Sequence, residues 1–579
     1  MLRTLLSRSR HSRLPRGPPS GSTCTRAWQQ CRHASAETCR HDNIVHSPFA
    51  DIEFPAGNVT LPEFVFSGPR RSYTAMEDAT TGLKYTLDQV EENCARFGAG
   101  LVEHLGMQRG DVVTVLCPNR PEYAPAFLGT MMAGGVVSTA NTVYTSHELH
   151  KQLHTAGAKY VFTTTELFTT VVEQAIINTD VKGVILLDTD GTRPSSIGNN
   201  NVTVAPFQLL LQSSAGLLPR FTVDAAKDTA VIPFSSGTTG LPKGVMLSHR
   251  NLIANVLQMA NEPELLYYRQ SDDECVLCVM PFYHIYGMVV LLASGIYQRC
   301  RLVTVPKFDP NTLPGIISRE KVTQLFVAPP LILFLLNDPR GQATDLSSVH
   351  YSFSAAAPLS SGVQEELSKR LQGRPVVQGY GLTELSPVCH ISPRSSYKLG
   401  SVGVPTPSTE VKVQSLDGES RSLPAFQDGE VCVRGPQIFQ GYLNRPEATA
   451  EMLDSEGWLH TGDIGHYDED GHFFIVDRLK ELIKVKGFQV APAELEAELL
   501  HHPDVTDAAV IGVPHERLGE APRAYVVRRP GSDLTESELS DFISSRLAAY
   551  KKLVGGVEFV DELPKSPSGK ILRRILREK

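Results

Sequence analysis

Residues 229–249 read TAVIPFSSGTTGLPKGVMLSH. The first six are a short apolar run, the pattern of a strand buried on both faces of a sheet. The ten residues from Ser235 to Gly244 hold three glycines, two serines, two threonines and one lysine, and cannot fill a core. Glycines let backbone N–H groups converge, hydroxyls add donors, and a lysine adds a point charge. A loop so built at the end of a strand suits a phosphate. It does not meet the Walker pattern G-x-x-x-x-G-K-[ST]: Leu241 and Pro242 separate Gly240 from Lys243, and Gly244 follows the lysine. A plain polar turn fits the same residues, so the rest of the chain must decide.

Outward from this strand the pattern alternates. Upstream, "TLDQVEENCARFGAGLVEHL" (86–105) has apolar residues at spacings of three and four and predicts a helix. "DVVTVLCP" (111–118) predicts a strand, and "PEYAPAFLGTMMAGG" (121–135) is helical again. "AKYVFTT" (158–164), "VKGVILLD" (181–188), "QLFVAPP" (324–330) and "HYSFSAAAP" (350–358) continue the series of buried strands. The fold class is therefore α/β, a large N-terminal domain with parallel sheets in αβ layers. Near residue 400 the texture changes to alternating strands with Gly and Asp turns, "STEVKVQSL", "GEVCVRGP" and "GHFFIVDR", which predict a β-rich subdomain. After the charged stretch at 478–480 the chain reads as a small α+β C-terminal unit. The expected division is 1–44, a basic N-terminal extension; 45–478, the large domain; and 479–579, the small one.

The 579 residues are 41% hydrophobic and 20% charged, with a net charge of −8, which argues for a soluble globular protein and against a nucleic-acid binder. No apolar run reaches the roughly 18 residues of a transmembrane helix; "GMVVLLASGIY" (287–297) and "LILFLL" (331–336) read as buried elements. Ten scattered cysteines are no disulfide framework, and Cys275 and Cys278 lie in an apolar run without a second pair for zinc. The first 40 residues hold eight arginines, no lysine and one acid, Glu37, the composition of a mitochondrial transit peptide. The expected location is the mitochondrial matrix, with the cytoplasm as the alternative. The chain ends in Arg577, Glu578 and Lys579 rather than the peroxisomal Ser-Lys-Leu address.

Further polar stretches stand behind the opening loop: "QGYGLTE" (378–384), "GWLHTGDIG" (457–465), "DRLKELIKVKGFQVAPAELE" (477–496) and "PKSPSGK" (564–570). Taken singly, Glu384 is an ordinary acid, Asp463 a turn cap, the lysines of 480–486 a solvated face and Lys570 a tail charge. In this order, with "SSGTTGLPKGVMLSH" and "PFYHIYGM" (281–288), they closely resemble the adenylate-forming superfamily of acyl-CoA synthetases, 4-coumarate–CoA ligases and beetle luciferases. The resemblance covers about residues 45 to 579, and its texture is nearest the 4-coumarate–CoA ligases and luciferases.

The resemblance implies a set of roles. Ser235, Ser236, Gly237, Thr238, Thr239 and Lys243 would hold the β- and γ-phosphates of ATP. Gln378, Gly379, Tyr380 and Gly381 would wall the adenine and the acyl site, Thr383 would meet the α-phosphate and Glu384 would bear on Mg²⁺. Asp463 would receive the ribose hydroxyls, Arg478 would approach ribose and phosphate, Lys480 would mark the hinge, and Lys570 would reach the carboxylate and α-phosphate. After adenylation the C-terminal domain would rotate as a mobile lid, withdrawing Lys570 and presenting Lys484, Lys486 and Gly487 for thioester formation. Tyr283, His284 and Tyr286, with Ser354, Ala355 and Ala356, would line the acyl side, and Lys307 would contact coenzyme A. Ala355 stands where related sequences often have glycine, which narrows the slot. The implied reaction joins a small-molecule carboxylic acid, with a fatty or aryl (4-coumarate-like) apolar tail, to coenzyme A through an acyl-adenylate. The alternative is a luciferase-like oxidation of the adenylate by O₂.

Overall fold

The computed structural model describes residues 43–68, 73–189, 202–235, 242–265, 274–485, 488–567 and 569–578. The expected N-terminal extension up to residue 42, the loop residues Ser236, Gly237, Thr238 and Thr239, and Lys486 and Gly487 lie outside the described residues.

Two large sheets carry the N-terminal part. One has eight strands, in the order Gly441–Tyr442, Lys243–Ser248, Thr229–Ser235, Val136–Thr139, Val112–Leu116, Ala158–Thr163, Gly183–Leu186 and Thr203–Pro206. It is parallel from Thr229–Ser235 onward and antiparallel at the Lys243–Ser248 edge. The second has nine strands, with a parallel centre running from Val376–Gly381 through Tyr351–Ser354, Gln324–Val327, Cys275–Cys278 and Arg301–Thr304 to Thr74–Asp78. Strands such as Val112–Leu116 and Gly183–Leu186 are buried at every position, which is why they read as largely apolar runs, the first interrupted only by Thr114.

Helices cover these sheets. Leu87–Leu105 starts on a capping box between Thr86 and Gln89 and stops at Gly106 in the left-handed conformation, so both ends are written in the sequence. Its Phe97 packs against Phe162 and Phe207 in the main core. Three of the described helical segments take π-type turns, Pro125–Gly129, Phe168–Val172 and Tyr286–Ala293. The last continues directly from the loop bearing His284. Among the described residues no helix is long and apolar enough to cross a membrane.

A third sheet, antiparallel, is ordered Ile44–His46, Glu410–Gln414, Gly429–Arg434, Leu459–Tyr467 and Phe473–Arg478. The fourth contains Phe488–Val490, Ile483–Val485, Gly519–Arg528, Val505–His515 and Val557–Phe559, with its own apolar cluster. Sheet membership thus changes between Arg478 and Ile483. The helix Pro492–Leu499 leans back across that junction: Ala493 N–H donates to Asp477 Oδ2 at 2.8 Å.

Candidate active site

The opening stretch folds as a hairpin. Ser235 ends one strand, Lys243 begins its antiparallel partner, and the two are cross-strand neighbours at the base of the loop. Val245 on the second strand pairs with Tyr442. Tyr442 donates its hydroxyl to Glu384 Oε1 at 2.7 Å, and Ser235 Oγ donates to the same oxygen at 3.1 Å. Lys243 Nζ lies 4.8 Å from the centre of the Tyr442 ring. Glu384 is buried in the short 3₁₀ turn Thr383–Leu385, whose neighbour Gly381 ends the strand Val376–Gly381. A side chain at Gly381 could not fit, since its Cβ would lie 1.9 Å from Pro387 O. Sequence reasoning brought Ser235, Lys243 and Glu384 together but missed Tyr442, whose only signal is its place in "QIFQGYLNRPEAT".

Behind this cluster, Tyr380 donates its hydroxyl to Asp463 Oδ2 at 2.7 Å. Arg478 Nε lies 3.1 Å from Asp463 Oδ1, and Asp463 and Arg478 are cross-strand partners. A bulge aims Asp463. The two-residue step from Glu430 to Cys432 faces a four-residue step from Ile464 to His460, with Gly462 at φ +67° between them. Burial and the neighbouring Asp463 carboxylate hold the Tyr380 phenol well above its ordinary pKa, so it stays a donor. Gln378 is buried and donates to Gln364 Oε1 at 3.0 Å and Leu359 O at 3.4 Å, and Gly379 is buried beside it in the strand.

Lys570 comes from the far end of the chain. Ser566 N–H donates to Lys570 O, Gly569 N–H donates to Ser566 O, and Lys565 bridges to Ile571, closing a tight hairpin. Gly569, at φ +84°, rests on the N-terminal domain: a Cβ there would lie 2.9 Å from Pro330 and 3.2 Å from Ala328. Burial, then the nearby Arg478, pulls the Lys570 ammonium down to about 8 against attraction from Asp463 and Glu481. His284 faces the same ammonium. Burial and Lys570 together pull its pKa down to about 4, so the imidazole is neutral. Its Nδ1 accepts from Tyr286 N–H at 3.2 Å, which leaves the hydrogen on Nε2. Asn119 braces this loop, accepting from Phe282 N–H at 2.7 Å and donating to the carbonyls of Cys278 and Met280.

On the expected acyl side, Tyr286 donates at 3.4 Å to Val327 O and its ring packs edge-on to Phe353. Thr139 Oγ1 fixes the Tyr283 carbonyl at 2.8 Å. The hydroxyls of Tyr283 and Ser354 are buried without a hydrogen-bond partner among the described residues. Ala355 N–H donates to Val327 O, and the next residue, Ala356, is exposed at φ +74°. Three expected residues stand apart from this cluster. Lys307, Lys480 and Lys484 are exposed, the last on a strand of the C-terminal sheet.

The arrangement has known relatives. Residues 68–443 match the AMP-binding enzyme family, and residues 494–570 match the AMP-binding enzyme C-terminal domain. The probable 4-coumarate–CoA ligase 1 of Dictyostelium discoideum is 41% identical over 512 residues, covering 86% of this chain and 91% of that protein. The 4-coumarate–CoA ligase 3 of Arabidopsis thaliana is 41% identical over 548 residues, covering 93% and 94%. Among solved structures, ATP-bound MatB from Rhodopseudomonas palustris superposes with a TM-score of 0.77 at 30% identity, covering 90% of this chain and 99% of its own. The o-succinylbenzoate CoA synthetase of Bacillus subtilis, in complex with its acyl-adenylate intermediate, gives 0.73 at 25% identity, covering 90% and 98%. The hairpin with its buried glutamate, the aspartate–arginine strand pair and the C-terminal lysine loop thus sit on a frame shared along nearly the whole chain, and the protein belongs to the AMP-binding enzyme family, among its 4-coumarate–CoA ligase-like acyl-CoA synthetases.

Proposed function

We propose that this protein activates a carboxylic acid with ATP and transfers the acyl group to coenzyme A. The observation that carries the reading is the convergence of Lys570, Asp463, Arg478 and His284, drawn from the middle and the C-terminal part of the chain to one place. A carboxylate is a poor electrophile. In the first step one of its oxygens attacks the α-phosphorus of ATP, the bond to the β-phosphate oxygen breaks, and pyrophosphate leaves. In the second step a thiolate attacks the acyl carbon and AMP leaves with the electron pair of the C–O bond.

In this reading the hairpin from Ser235 to Lys243 holds the departing phosphates, Asp463 accepts from the ribose hydroxyls, and Arg478 approaches ribose and phosphate. Protonated Lys570 bridges the substrate carboxylate and the α-phosphate, where charge builds up. The neutral His284 presents Nε2–H to the carboxylate without adding a second cation. Glu384 suits Mg²⁺: it is a single buried carboxylate whose anchoring bonds from Tyr442 and Ser235 both go to Oε1, and this ion takes one or two carboxylates along with phosphates and water. The ion would neutralise phosphate charge there. Lys484, exposed on the C-terminal sheet, would serve the thioester step after a rotation near Lys480 of the lid domain, residues 479–579.

The relatives named as 4-coumarate–CoA ligases support an aryl acid as substrate. The partnerless hydroxyls of Tyr283 and Ser354 would favour an acid whose tail carries a polar group. A fatty acid is the competing class. The test is pyrophosphate release with ATP and Mg²⁺ over a panel of acetate, hexanoate, octanoate, palmitate, benzoate and 4-coumarate, each with and without coenzyme A. Pyrophosphate with acyl-CoA for 4-coumarate supports the aryl ligase, and turnover confined to the alkanoates supports a fatty acyl-CoA synthetase. Pyrophosphate without acyl-CoA would move the reading to the oxygenase. The basic, acid-poor first 40 residues support delivery to the mitochondrial matrix. A diffuse cytosolic signal from residues 1–45 fused to a fluorescent reporter would refute it.

A further inference from the structure

The bulge that aims Asp463 carries a second constellation on its outer side. Glu430 and Cys432 are two apart on Gly429–Arg434 and so share a face, and Cys432 is the cross-strand partner of His460. Cys432 Sγ lies 3.5 Å from His460 Nδ1, and Glu430 Oε2 lies 2.8 Å from the same nitrogen. One thiol, one imidazole and one carboxylate thus place their ligand atoms within 4.8 Å of one another. The surroundings resemble the support of a metal site. Glu430 Oε1 is anchored by Gly462 N–H at 3.0 Å, which leaves Oε2 facing the cluster, and Asp454 Oδ2 lies 3.7 Å from His460 Nε2 on the other side of the ring. Cys432 is buried, whereas the side chains of His460 and Glu430 are 23% and 16% exposed, so the cluster is open to solvent on one side. Lys412 faces Cys432 across the sheet, but its ammonium sits 4.7 Å from the centre of the Trp458 ring.

We propose that Glu430, Cys432 and His460 form a binding site for one divalent cation of the zinc class, held by thiolate, imidazole Nδ1 and carboxylate, with water in the fourth position. Bonds of about 2.0–2.3 Å put tetrahedral ligand atoms roughly 3.3–3.6 Å apart. The thiol–imidazole pair already meets that separation, and the carboxylate needs to withdraw by about half an ångström once the metal replaces the proton it shares with the ring. On binding, Cys432 loses its thiol proton and His460 loses the proton on Nδ1, both to solvent. Nε2 keeps its hydrogen, directed at Asp454. The mixed S, N, O donor set is borderline-soft, which favours zinc or cobalt over magnesium or calcium. The ion would brace the bulge through Glu430 and Gly462 and lie beside the proposed nucleotide site rather than in it.

Cobalt titration of the full chain, stripped with a chelator and dialysed, tests this. One equivalent of Co²⁺ should produce a thiolate-to-cobalt charge-transfer band in the near ultraviolet. Cys432→Ser should abolish the band. Asp454→Asn should keep it while weakening affinity about tenfold. Should Cys432→Ser fail to fold by circular dichroism, Glu430→Gln serves instead, with a loss of at least about tenfold in Co²⁺ affinity expected. The proposal is overturned if no band forms on the folded wild type. It is equally overturned if the band survives Cys432→Ser, as it would if Cys24, Cys31 or Cys39 were the ligand, or if Glu430→Gln binds Co²⁺ as well as the wild type.

Discussion

At the scale of single residues, Lys570 is the group on which the proposed adenylation turns. Its pKa, lowered from the usual 10.5 to about 8, means that the free enzyme sheds this proton within an accessible range. Adenylation in the proposed mechanism needs the charged form, so kcat/KM for pyrophosphate release should be flat below about pH 8 and fall tenfold per unit above it. Lys570→Arg should carry the falling limb upward, because a guanidinium stays protonated throughout, even if the rate drops from imperfect reach. A limb unmoved by arginine would assign the titration to another group. Tyr442 gives a second test. Phenylalanine there removes a 2.7 Å bond to the buried Glu384, and a hydrogen bond to a charged group is worth about 1.5–3 kcal/mol. Tyr442→Phe should therefore lower kcat/KM for MgATP by roughly 10- to 100-fold while leaving the KM for the acid nearly unchanged. Equal losses for both substrates would point to general disturbance of the cleft. Lys570, Asp463 and Glu384 could be picked out of the sequence because the motifs that hold them stand in the order of the family the chain resembles, although each residue taken singly reads as an ordinary charge. Tyr442 could not: it is an aromatic in an apolar-flanked turn, and it becomes part of the site only through strand pairing with Val245, almost two hundred residues earlier.

At the scale of elements, the parallel strands were legible because burial on both faces leaves mostly apolar residues, as in Val112–Leu116, where Thr114 is the one exception. The π-type turns at Pro125–Gly129 and Tyr286–Ala293 were not, since their hydrogen-bond pattern leaves no mark on a side-chain period set by packing. Nor was the bulge at Asp463, which depends on register between strands; the glycine of "HTGD" is its only trace. The strand Val388–Ile391 behind Tyr380 holds a further element-level consequence. His390 is fully buried between the Tyr380 and Phe473 rings, with Nδ1 3.2 Å from Cys389 Sγ and Nε2 without a partner among the described residues. Burial alone pulls its pKa from 6.5 to about 3. A folded pKa below the unfolded one means that the unfolded chain binds the extra proton. Stability is therefore full above about pH 6.5 and is lost progressively as pH falls from there toward 3, at up to about 1.4 kcal/mol per unit. Chemical denaturation followed from pH 7 to 4 should show this loss. His390→Gln should flatten the curve, although it should also lower stability at pH 7, since it disturbs a packed strand. A parallel curve for the variant would assign the loss to other groups, His284 first among them, whose pKa is pulled to about 4.

At the scale of the whole molecule, the described residues of the two halves meet through hydrogen bonds, a glycine contact and a small apolar cluster. Asp477 accepts from Ala493 N–H, Arg478 O accepts from the backbone of Glu481 and Leu482, and the Lys570 hairpin rests on Pro330. The apolar part of the junction is small, Ile464 and Val476 packed with Leu482 and Ala491, and the rest is hydrogen bonds, a turn and a glycine contact, which suits an interface proposed to open between two reactions. The division of labour can be tested without touching any group that meets substrate. Gly569 has no side chain where a Cβ would press within 2.9 Å of the Pro330 ring, and it holds a left-handed φ of +84° that L-residues resist. Gly569→Ala should therefore hinder docking of the lid in the arrangement that delivers Lys570, at a cost of about 1–2 kcal/mol from backbone strain alone and more from the contact. Pyrophosphate release should fall at least about tenfold, because the proposed mechanism requires the docked state for adenylation. Thioester formation from a supplied acyl-adenylate, for which the proposal withdraws Lys570 and releases the Pro330 contact, should fall much less. Lys570→Ala should give the same asymmetry in sharper form, losing adenylation and keeping thioester transfer. If Gly569→Ala slows both half-reactions equally while the N-terminal domain melts as in the wild type, the hairpin does not dock and undock between steps, and one lid position must serve the entire cycle.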